Sequence, residues 1–143
     1  MIKLFIASDH AGCDVKTALV AFFSSSYQVV DLGTDSSERV HYTDFAHKLA
    51  RNISENKASF GILVCGSGVG VSMVANRYKG VRAALVYNEK IAELSRKHND
   101  ANVACFGARF FSSNEIIKMV QIFFETEFMG GIHSERVLAI DAL

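Results

Sequence analysis

The segment of this chain richest in potential chemistry is Cys65-Gly66-Ser67-Gly68-Val69-Gly70, which closes an apolar run and leads into Val71-Ser72-Met73-Val74-Ala75. Glycines at 66, 68 and 70 allow successive backbone N–H groups to face one concave spot. The helix read over residues 71–75 adds its positive dipole end to that spot. Such a loop can bind a phosphate or steady an oxyanion. A sulfur at its edge faces donors that favour thiolate chemistry, which makes Cys65 a candidate base or nucleophile. The competing reading is a packed cysteine at a strand end.

Several familiar loops are excluded by spacing. The dinucleotide fingerprint G-x-G-x-x-G fails because its third glycine would fall at Val71, and the loop follows the wrong strand. No Gly-Lys-Ser/Thr follows, so it is not a P-loop. A cysteine phosphatase needs an arginine about six residues beyond its cysteine, where this chain again has Val71. What remains is a cysteine beside an anion-stabilising nest.

Two further polar clusters end apolar runs. They are Ser8-Asp9-His10-Ala11-Gly12 and Gly107-Ala108-Arg109. Asp9 has the chemistry to orient a ligand hydroxyl and His10 to bind an anion; an Asp that caps the next helix is the alternative. Lys97-His98-Asn99-Asp100 ends a helical stretch, where His98 reads most simply as a cation placed favourably at a helix C-terminus. Arg51, Arg96 and Lys97 read as solvated surface charge, and Cys13 and Cys105 as packing residues.

These clusters need a frame. Residues 3–7, 28–32, 60–64, 82–86 and 102–106 are short, mostly apolar runs of strand length. Between them, residues 14–23, 44–53 and 114–124 carry apolar side chains at helical spacing, the last with Ser112 or Ser113 as a cap. Alternating strand and helix predicts βαβ units with right-handed crossovers. The expected fold is therefore α/β, a Rossmann-like three-layer sandwich with about five parallel strands and helices on both faces. No proline and no linker divides the chain, so residues 1–143 are expected to form one domain. After the Gly130-Gly131 break, residues 134–143 read as an extra C-terminal helix with Val137, Leu138 and Ile140 as its apolar strip. Ligands of open parallel sheets bind outside the carboxyl ends of the strands, where all three polar clusters fall.

Composition narrows the classes. Half of the 143 residues are hydrophobic and 21% are charged, with 15 basic against 15 acidic side chains. There is no basic surplus of the kind a nucleic-acid binder carries. No apolar run reaches membrane-spanning length, and the N-terminus turns polar too soon for a signal peptide. Three widely spaced cysteines without Cys-x-x-Cys suit free thiols in a reducing compartment, with the cytoplasm as the expected location. No metal-ligand spacing is present.

Six segments together resemble the ribose-5-phosphate isomerase B and galactose-6-phosphate isomerase family. They are Asp9-His10-Ala11-Gly12, Ser37-Glu38-Arg39 with Tyr42, Cys65 to Gly70, His98-Asn99-Asp100 with Asn102, Gly107-Ala108-Arg109, and Gly130-Gly131-x-His133-x-x-Arg136-Val137. They occur in the family's order and span essentially the whole chain. The resemblance implies a Rossmann-like homodimer, with possible further pairing to a tetramer, whose active sites use residues of both subunits. It implies that residues 131–143 pack at the dimer interface.

The resemblance further implies that Cys65 is the base carrying a proton between C1 and C2 of a phosphorylated sugar through an enediolate. The amides of Gly66, Gly68 and Gly70, with Ser67 and Asn99, would stabilise the oxyanion. His98 would help open the sugar ring, and Asp9 would hold the ring-opened hydroxyls. His10, Arg109 and Arg136 would contact the phosphate, and Tyr42 would line the pocket. Neither a metal nor an organic cofactor is implied. The expected reaction interconverts ribose 5-phosphate and ribulose 5-phosphate. A galactose-6-phosphate isomerase subunit and a non-catalytic sugar-phosphate-binding module are the alternatives.

The chain departs from the family pattern twice. Ile132 stands where many members have a phosphate-binding Arg. A hydrogen bond to a charged group contributes about 1.5–3 kcal/mol, so weaker substrate binding or a compensating basic group is expected. His41-Tyr42-Thr43 replaces a common Asp-Tyr-Pro run and bears on the loop around Tyr42.

Overall fold

The computed structural model describes residues 1–142, so Leu143, at the end of the expected last helix, lies outside the described residues. Five parallel strands form one sheet: β1 (Lys3–Ser8), β2 (Gln28–Asp31), β3 (Phe60–Cys65), β4 (Ala83–Leu85) and β5 (Val103–Gly107). Their order is β2-β1-β3-β5-β4. The helices are α1 (Cys13–Phe23), α2 (Tyr42–Glu55), α3 (Val69–Ala75), α4 (Glu89–Asn99), α5 (Ser113–Glu125) and α6 (Ile132–Asp141).

The three-layer expectation holds, and the strand sequences show why. Side chains alternate across a strand, and here both faces are apolar. Leu4, Ile6, Ile62, Val64, Ala104 and Phe106 pack against α1, α4 and α5. Phe5, Ala7, Leu63, Cys65, Val103 and Cys105 pack against α2 and α3 on the other side. Truncating a fully buried aromatic of this core, Phe106 or Phe123, would cost about 3–5 kcal/mol.

Local signals set the helix ends. Ser112 and Glu115 form a reciprocal capping box at α5, and the Asn88 side chain accepts from the Ile91 N–H at the start of α4. The fourth strand is shorter than the expected 82–86, but its pairing extends on both sides. The Arg82 carbonyl accepts from Asn102 N–H, and Val86 N–H donates to the Cys105 carbonyl.

One surface assignment is corrected. Arg96 is not a solvated charge but is only 9% exposed. Its Nη1 donates to the Ala101 carbonyl at 2.6 Å and to Asp100 Oδ1 at 2.8 Å, and its Nε to the Thr126 carbonyl at 3.3 Å. The guanidinium carbon lies 5.0 Å from the Phe60 ring centre and 5.6 Å from that of Phe123. Helical spacing places residue 96 on the α5-facing side of α4, one turn before the orphan carbonyls that a guanidinium can satisfy. Arg51 is exposed and Lys97 pairs with Glu93 at the surface, as expected.

The strand order creates the site. From β1 the chain moves outward to β2, then crosses back so that β3 lies on the other side of β1. The crevice between the ends of β1 and β3 is the switch point where open α/β sheets take ligands.

Candidate active site

Cys65 is the last residue of β3, with its side chain on the α2/α3 face and 5% exposed. The loop after it curls back on the sulfur. Gly68, in the left-handed region at φ 82°, directs its N–H to Cys65 Sγ at 3.1 Å. Glycine is required at 68 for a second reason: a Cβ there would stand 2.9 Å from the Phe106 backbone carbon. The Val69 N–H donates to Ser67 Oγ at 3.2 Å. Two of the nest's donors are thus engaged within the loop.

The end of β5 is stitched to the same loop. Ala108 N–H donates to the Cys65 carbonyl at 2.8 Å and Arg109 N–H to that of Gly66 at 3.1 Å. The Arg109 guanidinium lies flat against Gly66, within 3.2 Å of where a Cβ would be. A cationic donor is thereby held beside the glycine loop.

From β1, Asp9 caps the short turn His10–Gly12, its Oδ1 accepting from Ala11 and Gly12 N–H. Besides capping this turn, Asp9 lines the cleft. His10 Nδ1 accepts from the Val40 N–H at 3.1 Å. That bond selects the tautomer in which Nε2 carries the proton and serves as the donor. No sequence signal marks a backbone N–H thirty positions away as the partner of a histidine.

The loop bearing Val40 is itself anchored. Ser8 N–H donates to the Gly33 carbonyl and Thr34 N–H to the Ser8 carbonyl, around a cis Gly33–Thr34 peptide bond. Asp31 accepts from Gly33 N–H at 2.9 Å and pairs with Lys16 Nζ at 2.6 Å. The Cys13 thiol points to the Thr34 carbonyl. His41 is the N-cap residue of α2 without making a side-chain cap bond, and Tyr42 opens the helix. The Tyr42 ring covers Gly70, at a position that a Cβ on residue 70 would meet at 2.3 Å.

Asp9, His10, Tyr42, Cys65, Gly66, Ser67, Gly70 and Arg109 therefore surround one open cleft of about 570 Å³. Val69, Met73 and Phe110 complete its walls, and sequence reasoning did not pick them out as lining residues. Their apolar type is itself the reason: without the fold, an exposed Met or Phe reads as core. Cys105 lies behind Cys65, fully buried. Burial, and secondarily the nearby Cys65, push its thiol pKa well up, in keeping with a packing role. Among the described residues no group of three His, Cys, Asp or Glu is arranged to hold a metal.

His98, Asn99 and Arg136 do not line this cleft. Asn99 borders a separate groove with Arg82, Ile140 and Asp141. His98, in the last turn of α4, stacks on His133 at the start of α6, ring centres 4.3 Å apart and planes 13° from parallel. Arg136 is close enough to His133 to lower its pKa, behind the larger contributions of burial and of His98. The site residues expected from sequence thus fall into two groups on one chain, a cysteine cleft and the α4–α6 face.

The chain matches the family model described as Ribose/Galactose Isomerase over residues 4–140. It is 38% identical to ribose-5-phosphate isomerase B of Escherichia coli over 144 residues, covering 100% of this chain and 97% of that protein. Among solved structures, it superposes with a TM-score of 0.95 on ribose-5-phosphate isomerase B of Mycoplasma genitalium with bound ribulose-5-phosphate. The identity is 43%, with 98% and 94% of the two chains covered. The Thermotoga maritima ribose 5-phosphate isomerase is similar at 40% identity and a TM-score of 0.94, with 99% of each chain covered.

Proposed function

Because the chain belongs to the ribose/galactose isomerase family, we propose that it interconverts ribose 5-phosphate and ribulose 5-phosphate, with Cys65 as the base. The observation that carries the assignment of the base is the Gly68 N–H held 3.1 Å from Cys65 Sγ, on the wall of a cleft that also presents Asp9, His10 and Arg109.

The proposed chemistry follows from the parts. Cys65 takes the C2 proton of the open-chain aldose, giving a 1,2-enediolate; the O2 proton passes to O1, and Cys65 returns its proton to C1, leaving the carbonyl at C2. Charge gathers on the substrate oxygens, where the amides of the 66–70 loop, Ser67 and Asn99 stabilise it. Asp9 holds the hydroxyls of the opened sugar. Arg109, His10 through Nε2–H, and Arg136 take the phosphate, and Tyr42 closes one wall. His98 exchanges the protons that open the furanose.

A second copy of the chain supplies what one cleft lacks. His98, Asn99 and Arg136 stand on the α4–α6 face, away from their own Cys65, and a homodimer would bring that face to the partner's cleft. The apolar side chains on both surfaces favour this: Ile132 and Leu138 of α6 are 64% and 71% exposed, and Met73 and Phe110 at the cleft rim 64% and 71%. Residues 131–142 are therefore assigned to the dimer interface. Three free cysteines suit a reducing compartment, and the cytoplasm is the one we infer.

The test is turnover of ribose 5-phosphate by the purified chain without added metal, alongside galactose 6-phosphate. Activity on the pentose that disappears in Cys65→Ala, with the fold intact by circular dichroism, is the expected outcome. Full activity of Cys65→Ala removes the assignment of the base, and preference for the hexose reassigns the substrate.

A further inference from the structure

The joint between α4 and α6 is built to lay one imidazole on another. Met129 N–H donates to the Lys97 carbonyl at 3.1 Å, which ties the chain ahead of α6 to the residue beside His98. Gly130 and Gly131 then take φ of 68° and 57°, a reversal that side-chain-bearing residues adopt reluctantly. His133 N–H closes the turn on the Gly130 carbonyl at 3.1 Å. The outcome is the face-to-face pair at 4.3 Å and 13°.

Among the described residues, the histidines whose ring nitrogens are hydrogen-bonded are His10 and His47, not His98. No polar contact therefore selects the orientation of the His98 ring; the flat contact with His133 does. With one face of the His98 ring covered by His133, proton exchange is left to its nitrogen-bearing edge. An imidazole that exchanges protons with a sugar must aim that edge, since a small misplacement of a proton donor is costly.

We propose that His133 is a positioning residue for His98: its ring, stacked on the His98 imidazole, aims the edge that opens the sugar ring. The inference rests on the reading of His98 given above. Ring opening removes the proton of the C1 hydroxyl, forms the C1 carbonyl, breaks the bond from C1 to O4 and delivers a proton to O4. Ribulose 5-phosphate has no such step. Its carbonyl is at C2 and its C5 oxygen is esterified, so only three- or four-membered rings could form, and it stays open.

The direction of the reaction therefore separates this role from a structural one. Kinetics are measured in both directions for the full-length wild type, His133→Ala, His133→Phe, His98→Ala and the double variant His98→Ala/His133→Ala. His133→Ala is expected to lose roughly tenfold to a hundredfold in kcat from saturating ribose 5-phosphate, while kcat from ribulose 5-phosphate stays within about threefold. His133→Phe, which keeps a flat ring, restores the forward rate, and the double variant is no slower than His98→Ala alone. Equal losses of kcat in both directions, no loss in His133→Ala, or failure of Phe to restore would overturn the proposal. If His98→Ala itself shows no difference between directions, the ring-opening role of His98 falls and this inference with it. If His98→Ala shows the difference and His133→Ala does not, only the inference falls.

Discussion

The amide of Gly68 points at the sulfur of Cys65 across 3.1 Å, and it does so only because residue 68 adopts φ 82° against the backbone of Phe106. A side chain at 68 meets both a disfavoured backbone region and a 2.9 Å clash with backbone that has nowhere to move. Gly68→Ala is expected to lower stability by roughly 1–3 kcal/mol and to reduce turnover beyond what the stability loss explains. Denaturant unfolding and kcat on the same preparation check this; wild-type turnover in a destabilised protein would detach the amide from the chemistry.

Tyr42 and Gly70 should be coupled. The Tyr42 ring fills the position of a Cβ on residue 70, so Gly70→Ala displaces the ring or the α3 start. Gly70→Ala raises KM, and Tyr42→Ala in the same chain relieves the clash, so the two free-energy effects do not add. Additive effects in the double variant would show that the ring has room to step aside.

Arg96 is expected to matter for stability more than any exposed cation. Arg96→Ala leaves the Ala101 and Thr126 carbonyls without their donor and uncovers Phe60 and Phe123, a loss of roughly 2–4 kcal/mol. Arg96→Lys should recover little of it, because one ammonium cannot span the same carbonyls. Thermal unfolding of both variants beside Arg51→Ala, which should change little, gives the comparison.

Histidine 133 predicts an acid limb in the stability curve. Its pKa is lowered in the folded chain, by burial first and then by His98 and Arg136, so the unfolded chain binds that proton more readily. Stability therefore rises with pH through the ordinary histidine range near about 6.5 and falls as the solution is acidified through it. His133→Phe should flatten the curve between about pH 5 and 7. Parallel curves for variant and wild type would contradict the shift.

A shared site predicts complementation between inactive chains. Cys65→Ala and His98→Ala are each expected to be poorly active with ribose 5-phosphate, but mixed heterodimers combine one doubly altered site with one intact site. Equal mixing after dissociation should restore roughly a quarter of wild-type sites. No recovery, with heterodimers demonstrated by mass, would place His98 and Cys65 in the same chain's site.

Much of the frame is legible in the sequence. Strand-length apolar runs alternating with helical spacing identify a parallel sheet covered on both faces, since both periodicities are local. The glycine-spaced loop after Cys65 was equally readable, because the positive φ at 68 and the close approaches at 66 and 70 leave glycine as the natural residue. Asp9 at a strand end already carried its cap in its position ahead of His10–Gly12.

What the tertiary structure alone decided depends on contacts between distant segments. The order β2-β1-β3-β5-β4 brings the ends of β1, β3 and β5 side by side, so that Asp9, Cys65 and Arg109 share a cleft. Helical spacing marks a face of α4, yet only packing against α5 turns Arg96 from a surface charge into a buried donor. The Val40 N–H on His10 and the His133 ring on His98 likewise join residues whose types say nothing of their partners. Local sequence encodes backbone geometry and burial pattern; which side chains meet is set by how those elements close around a common core.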